Sequence, residues 1–134
     1  MSAYRLAVIL LVTYPLVATA QNTCDNQTFN SHADKIACEI KQTYAKFKDV
    51  NKAFDQLMYV NAQFEQITGT ASNLFTSRLG ENQEQWRSWV KNNCSLEGDV
   101  SMGTAGSDIE QQCLQDAADA RIKELHHMAE LLPH

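Results

Sequence analysis

The chain has 134 residues and a formal net charge of −5 at pH 7. This length is enough for one ordinary hydrophobic core and too short for two. The acidic balance disfavours nucleic acid and anionic membrane surfaces as partners and favours basic proteins.

The first 20 residues have the pattern of a secretory signal peptide. Arg5 precedes an apolar run over residues 6–17, and small residues at 18–20 end it. This run is shorter than the roughly 20 residues that a helix needs to cross a bilayer. We therefore predict cleavage near Ala20 and a periplasmic or secreted protein. Since no cysteine directly follows Ala20, we expect no lipid anchor. Residues 21–134 then form a single domain with a net charge of −6, because Arg5 is removed.

A first long helix is predicted from about Ser31 to the break at Gly69. Ser31 can act as its N-cap, and apolar residues recur at helical spacing with no glycine or proline between them. The positions expected to face the core are Ile36, Ile40, Tyr44, Phe47, Val50, Phe54, Leu57, Met58 and Asn61.

A second helix is predicted to begin at a cap provided by Thr70 or Ser72 and to end near Asn93. Gly80 lies inside it and permits a bend. Its expected core positions are Leu74, Phe75, Leu79, Trp86, Trp89 and Val90.

Residues 95–107 contain three glycines and no periodicity, which is typical of a loop. Ser107 and Glu110 then form a capping box for a third helix that ends at Pro133. Its expected core positions are Ile109, Cys113, Ala117, Ala120, Met128 and Leu131. The pattern predicts an all-α fold, a small antiparallel bundle of three helices.

The cysteines Cys24, Cys38, Cys94 and Cys113 all follow the predicted cleavage site, which favours two disulfides. Their spacing lacks the close pairs that structural zinc sites use. Cys38 faces away from the predicted core stripe, where the polar lead containing Cys24 can reach it. Among the three possible connectivities we favour Cys24 with Cys38 and Cys94 with Cys113.

Several short motifs, taken in order, resemble the LprI-type lysozyme inhibitor domain. Residues 49–57 (DVNKAFDQL) correspond to a family helix with the pattern LN..Y..L, and Gln83 and Trp86 correspond to a Q..W helix that ends at a cysteine, here Cys94. A glycine-bearing segment and a helix containing Cys113, Arg121 and Leu125 follow. The likeness covers most of residues 24–125. Two positions depart from the family pattern: Phe54 replaces the usual tyrosine, and Val90 stands where an arginine is usual.

The resemblance implies a binding protein that inhibits lysozyme, not an enzyme, and it marks Asn51, Phe54, Gln83, Trp86 and Arg121 as structural positions. Asn51 falls in the predicted core stripe and needs a polar partner there. Arg121 could donate to Asn51 or to a carboxylate, and we favour such a structural contact over ligand binding for Arg121. Trp86 and Trp89 are expected to fill the core, with an exposed aromatic patch as the rival interpretation.

The residues themselves indicate neither catalysis nor cofactor binding. There is no nucleophile motif, and the adjacent His126 and His127 point about 100° apart on a helix, which is unsuited to sharing a metal. We expect no cofactor and no metal.

The glycine-rich segment offers a partner-binding loop with Glu97, Asp99, Ser101 and Thr104, closed by Cys94 and Cys113. Such bracing lowers the entropy lost on binding. The leading hypothesis is therefore an exported inhibitor that reversibly occludes a cationic lysozyme-type muramidase. The alternative is an envelope interaction module of the same fold that does not inhibit; for the segment itself, the alternative is an ordinary surface connection.

Overall fold

The computed structural model describes residues 24–69, 73–103 and 105–132. The predicted signal peptide lies outside these ranges, as do the predicted cap residues Thr70 and Ser72 and the positions Thr104 and Pro133. Every described element is an α-helix, so the all-α prediction is confirmed. None of the helices in these ranges combines the length and apolarity that crossing a membrane requires.

Helix α1 spans His32–Thr68 and begins and ends where the sequence predicts. Ser31 is the N-cap: its hydroxyl accepts a hydrogen bond from the backbone N–H of Asp34 at 3.2 Å. Gly69 ends the helix with φ of 67°, and its N–H donates to the carbonyl of Glu65 at 3.0 Å. This left-handed conformation carries no steric cost for glycine.

Helix α2 spans Asn73–Val100 and helix α3 spans Ala105–Leu131. The prediction that the second helix ends near Asn93 and a loop follows is therefore wrong, because α2 continues for almost two further turns. Ser107 lies inside the first turn of α3, so its predicted role as the capping residue is also wrong. The connection that remains between the helices is only residues 101–104.

Two of the three glycines that suggested a loop, Gly98 and Gly106, instead permit close contact between α2 and α3. A Cβ atom added to Gly98 would lie 2.8 Å from the carbonyl oxygen of Gly106, and one added to Gly106 would lie 2.6 Å from that of Gly98. Both distances are shorter than real Cβ contacts. Glycine costs about 1 kcal/mol in a helix relative to alanine, and here the tertiary contact offsets that cost.

Successive helices run antiparallel, as the bundle prediction requires. The start of α1 lies beside the start of α3, where His32 and Asp108 are 3.3 Å apart, and Lys46 pairs with Asp119 further along both helices. Helix α2 runs the opposite way, because Gln83 near its start contacts Arg121 and Cys94 near its end contacts Cys113. Helix α3 packs along both α1 and α2.

Two disulfides join Cys24 to Cys38 and Cys94 to Cys113, the connectivity that the sequence favoured. Both lie at the same end of the bundle, where α1 and α3 begin and α2 ends. We call this the disulfide end. Closing loops of this size stabilises a fold by roughly 3 kcal/mol each on the chain-entropy estimate.

The hydrophobic core occupies the middle and the opposite end of the bundle. Its buried members are Val50, Ala53, Leu57, Leu79, Ala118 and Leu125. Toward the disulfide end the buried side chains are polar ones together with cystines, among them Glu39, Thr43 and Gln115. The disulfides thus stabilise the part of the bundle that has the least apolar core.

Several residues predicted to lie in the core are exposed in the structure. Ile40 and Tyr44 are exposed, because Glu39 and Thr43, each one residue earlier, take the inward face of α1. On α3 the inward positions are Ala118, Arg121 and Leu125, whereas the predicted positions Ile109, Ala120 and Leu131 are exposed. Alanines occupy positions 117, 118 and 120 of this helix and face different directions, so apolar periodicity alone could not identify its buried face.

Candidate functional site

A buried polar cluster joins α2 to α3 in the middle of the bundle. Arg121 is only 3% exposed. Its guanidinium donates to the side-chain oxygen of Gln83 at 3.0 Å, to that of Asn82 at 2.6 Å and to the carboxylate of Glu124 at 2.6 Å. It also lies 5.5 Å from the ring centre of Trp86. A buried charge needs such partners, so this geometry suits a structural anchor.

Four of the motif residues are thus brought together around the core. Arg121 contacts both Gln83 and Trp86, and the ring centre of Trp86 lies 5.7 Å from that of Phe47 on α1. Phe54 packs against the same core. Val90, at the other position that departs from the family pattern, is fully buried there.

Asn51 does not join this cluster, and the prediction that it is buried in the core stripe is wrong. Arg121 donates instead to a carboxylate, that of Glu124, which was the other partner expected for it. Asn51 is exposed, and its side-chain oxygen accepts a hydrogen bond from Arg87 of α2. Asn51 follows the buried Val50 by one residue, a rotation of about 100° that carries it off the core face.

A second polar network holds α1 to α3 at the disulfide end. The ammonium group of Lys35 lies 2.9 Å from Glu39 and 3.1 Å from Asp108, and Gln115 donates to the hydroxyl of Thr43 at 3.2 Å. Burial disfavours the charged form of Asp108, but hydrogen bonds from Lys35 and His32 outweigh it and hold the pKa of Asp108 below its ordinary value. Hydrogen bonds to Glu39 and Asp108 likewise raise the pKa of Lys35. Lys35 is thus paired with two acids of opposite charge, an arrangement typical of a structural ion network.

The residues of the predicted binding loop lie at the extremity of the disulfide end, in what we call the tip (residues 94–103 and 105–110). Glu97 and Asp99 are exposed on the last turns of α2, not on a loop. Ser101 follows the helix, and its hydroxyl donates to the carbonyl of Glu97 at 2.8 Å. Thr104 lies outside the described residues.

The tip is braced from two directions. Cys94 and Cys113 link its two helices covalently, and the contact between Gly98 and Gly106 holds them close together beyond that link. An open depression of about 250 Å³ lies on this surface, lined by Gly98, Asp99, Met102, Gly103, Gly106, Ser107 and Glu110. A helical hairpin braced in this way loses little conformational entropy on binding.

The tip is strongly acidic and carries no basic side chain. Residues 92–120 contain six Asp and Glu and no Lys or Arg. Two of these acids are neutralised by lysines of α1, since Lys35 pairs with Asp108 and Lys46 with Asp119. Asp99 and Glu110 form no ion pair with any described residue, so their charge is available to a partner.

Sequence reasoning missed an exposed apolar row on α2 that runs into the tip. Trp89 is 60% exposed, Leu96 61% and Val100 74%, and Met102 beyond the helix is 83% exposed. The prediction that Trp89 fills the core is wrong. Trp89 precedes the buried Val90 by one residue and so points about 100° away from it, whereas Trp86 lies within reach of the core. Trp89 is exposed, as the rival interpretation of an aromatic patch requires, whereas Trp86 is not part of such a patch.

The two histidines near the end of α3 lie on its surface. Both His126 and His127 are exposed, and His127 lies 4.0 Å from Glu130. Within the described ranges no three His, Cys, Asp or Glu side chains are arranged to hold a metal ion.

The comparisons with known proteins agree with this arrangement of motifs. The family model described as "Lysozyme inhibitor LprI" matches residues 24–125, a span that contains all four cysteines and the Gln83, Trp86 and Arg121 cluster. No curated protein matches the chain, and no solved structure matches it either. Because the family model covers well over half of its length, the chain belongs to the LprI lysozyme inhibitor family.

Proposed function

We propose that the protein is an exported inhibitor of lysozyme-type muramidases that acts by reversible occlusion of the substrate cleft. Membership of a lysozyme inhibitor family is the observation that carries this proposal. The acidic tip supports the proposal, because a muramidase that acts on an anionic cell wall presents a cationic surface. Residues 21–134 carry a net charge of −6 and are attracted to such a surface.

The tip is the part of the molecule best suited to enter a cleft. It lies at one end of the bundle, the Cys94–Cys113 disulfide braces it, and its unpaired acids Asp99 and Glu110 border a depression. Attraction between opposite charges accelerates the encounter, and the rigid helical hairpin then blocks the polysaccharide from binding. No covalent step is involved, so dilution restores the muramidase.

The decisive experiment is a titration of the protein, beginning at residue 21 and with both disulfides formed, into a lysozyme assay that follows lysis of bacterial cell walls. We expect saturable inhibition that is reversed by dilution and weakened by salt. Absence of inhibition at micromolar protein against every muramidase tested would contradict the proposal. The chain would then be better described as an interaction module of the cell envelope with the same fold.

Export is tested separately. Mass spectrometry of periplasmic and secreted fractions should find a chain that begins near Gln21, with a mass lowered by four hydrogens for two disulfides. Recovery of the chain with residues 1–20 attached, or with free thiols, would contradict it.

A further inference from the structure

The exposed row of Trp89, Leu96 and Val100 on α2 is not explained by the bundle itself. These residues are spaced seven and four positions apart, so they lie within about 40° of one another on the helix and extend over about 16 Å. Each is more than half exposed. They do not cover the hydrophobic core, which α2 contacts through other positions such as Leu79.

Met102 follows α2, lines the depression beside Gly98 and adds a second unusual feature. Its φ is 46°, a left-handed conformation that costs a residue other than glycine free energy. Its side chain is 83% exposed and therefore recovers little of that cost by packing within the chain. Met102 therefore leaves a large apolar side chain exposed at the tip.

The charges beside the row indicate what kind of partner covers it. Glu97 and Asp99 lie about 80° to either side of Trp89 around the helix, so an acid flanks the row on each side. Both are exposed. No basic residue occurs between Lys91 and Arg121 to balance them. A second copy of this chain would bring its own pair of acids against this pair, which opposes self-association. A cationic protein would place opposite charges there.

We propose that Trp89, Leu96 and Val100 form the apolar anchor through which the protein binds a cationic muramidase, with Glu97 and Asp99 as its charged rim and Met102 as a further apolar contact at the depression of the tip. This inference rests on the proposed function and assigns the contact surface within it. Exposed aromatic residues surrounded by a polar rim are typical of the few positions that dominate the affinity of an interface.

The test measures binding of a cationic lysozyme to the parent protein and to Trp89→Ala, Leu96→Ser and Val100→Ser. Matched controls are Tyr59→Ala and Ile67→Ser. They replace similarly exposed apolar residues on α1, toward the end of the bundle opposite the disulfide end. We expect Trp89→Ala to raise Kd about tenfold or more, chiefly through faster dissociation. Leu96→Ser and Val100→Ser should raise it severalfold, and the controls less than twofold. Helical circular dichroism shows that each variant is folded.

The salt dependence of association separates the apolar anchor from the charged rim. Trp89→Ala leaves every charge in place, so its association rate should fall with salt as steeply as that of the parent. If the parent inhibits lysozyme but a Trp89→Ala and Leu96→Ser double variant binds with the parent's Kd, the anchor is wrong while the proposed function holds. If the parent binds no lysozyme, both are overturned. Self-association of the parent that Trp89→Ala abolishes would show that a second copy covers the row and would also overturn the anchor.

Discussion

Replacing Gly98 by alanine tests whether close contact between α2 and α3 forms the tip. The added Cβ would lie 2.8 Å from the backbone oxygen of Gly106 and 3.2 Å from the Cβ of Glu110, and a backbone atom cannot move aside as a flexible side chain can. Overpacking of this kind costs about 1–3 kcal/mol, while alanine recovers about 1 kcal/mol of helix propensity. We therefore expect a net loss of up to about 2 kcal/mol in the free energy of unfolding.

Gly80→Ala is the matched control, because it is the same substitution within the same helix. A Cβ at Gly80 meets nothing within 4 Å, so only the gain in helix propensity remains. We expect this variant to be more stable than the parent by up to about 1 kcal/mol. Urea denaturation followed by helical circular dichroism, with the disulfides kept oxidised, measures both values. If Gly98→Ala is as stable as Gly80→Ala, the helices do not approach as closely as described and the rigid tip loses its basis.

Three further predictions concern the polar contacts and the rim. Arg121→Met should lower the free energy of unfolding by about 2–4 kcal/mol, because the oxygens of Gln83 and Asn82 lose a buried donor; an unchanged urea midpoint would contradict it. Asp108→Asn should destabilise the protein at pH 7. Because the folded pKa of Asp108 is lowered, its stabilisation is complete above the unfolded pKa of about 3.9 and is lost as pH falls through the folded pKa. The parent and this variant should therefore converge in acid, and a difference that is independent of pH would refute the ion network. The double variant Glu97→Gln and Asp99→Asn should associate with lysozyme more slowly and with a weaker dependence on salt. The control variant Asp55→Asn and Glu81→Gln, an equal change of charge away from the tip, should have little effect. Equal effects of the two variants would show general charge attraction and not a contact at the tip.

Much of the architecture could be predicted from local signals in the sequence. Ser31 and Gly69 mark the limits of α1 because an N-cap hydroxyl and a left-handed glycine each satisfy backbone groups that the helix leaves open. The outward position of Cys38 pointed to its pairing with Cys24. Family motifs in order singled out Gln83, Trp86 and Arg121, and Arg121 contacts each of the other two.

Contacts between distant residues determined the rest. A glycine in the sequence is compatible with a loop and with a close helix crossing. Only the tertiary structure, in which Gly98 packs against Gly106, shows that these glycines serve a helix crossing. Apolar periodicity marked Ile40, Tyr44 and Trp89 as core, but burial depends on which face the neighbouring helices cover, and polar Thr43 and Gln115 satisfy each other inside the bundle. The net charge, the helical fold class and the use of the cysteines in disulfides could therefore be predicted from the sequence alone. The braced acidic tip and the exposed row of α2 arise only when the three helices pack together, because each is defined by what the other helices leave uncovered.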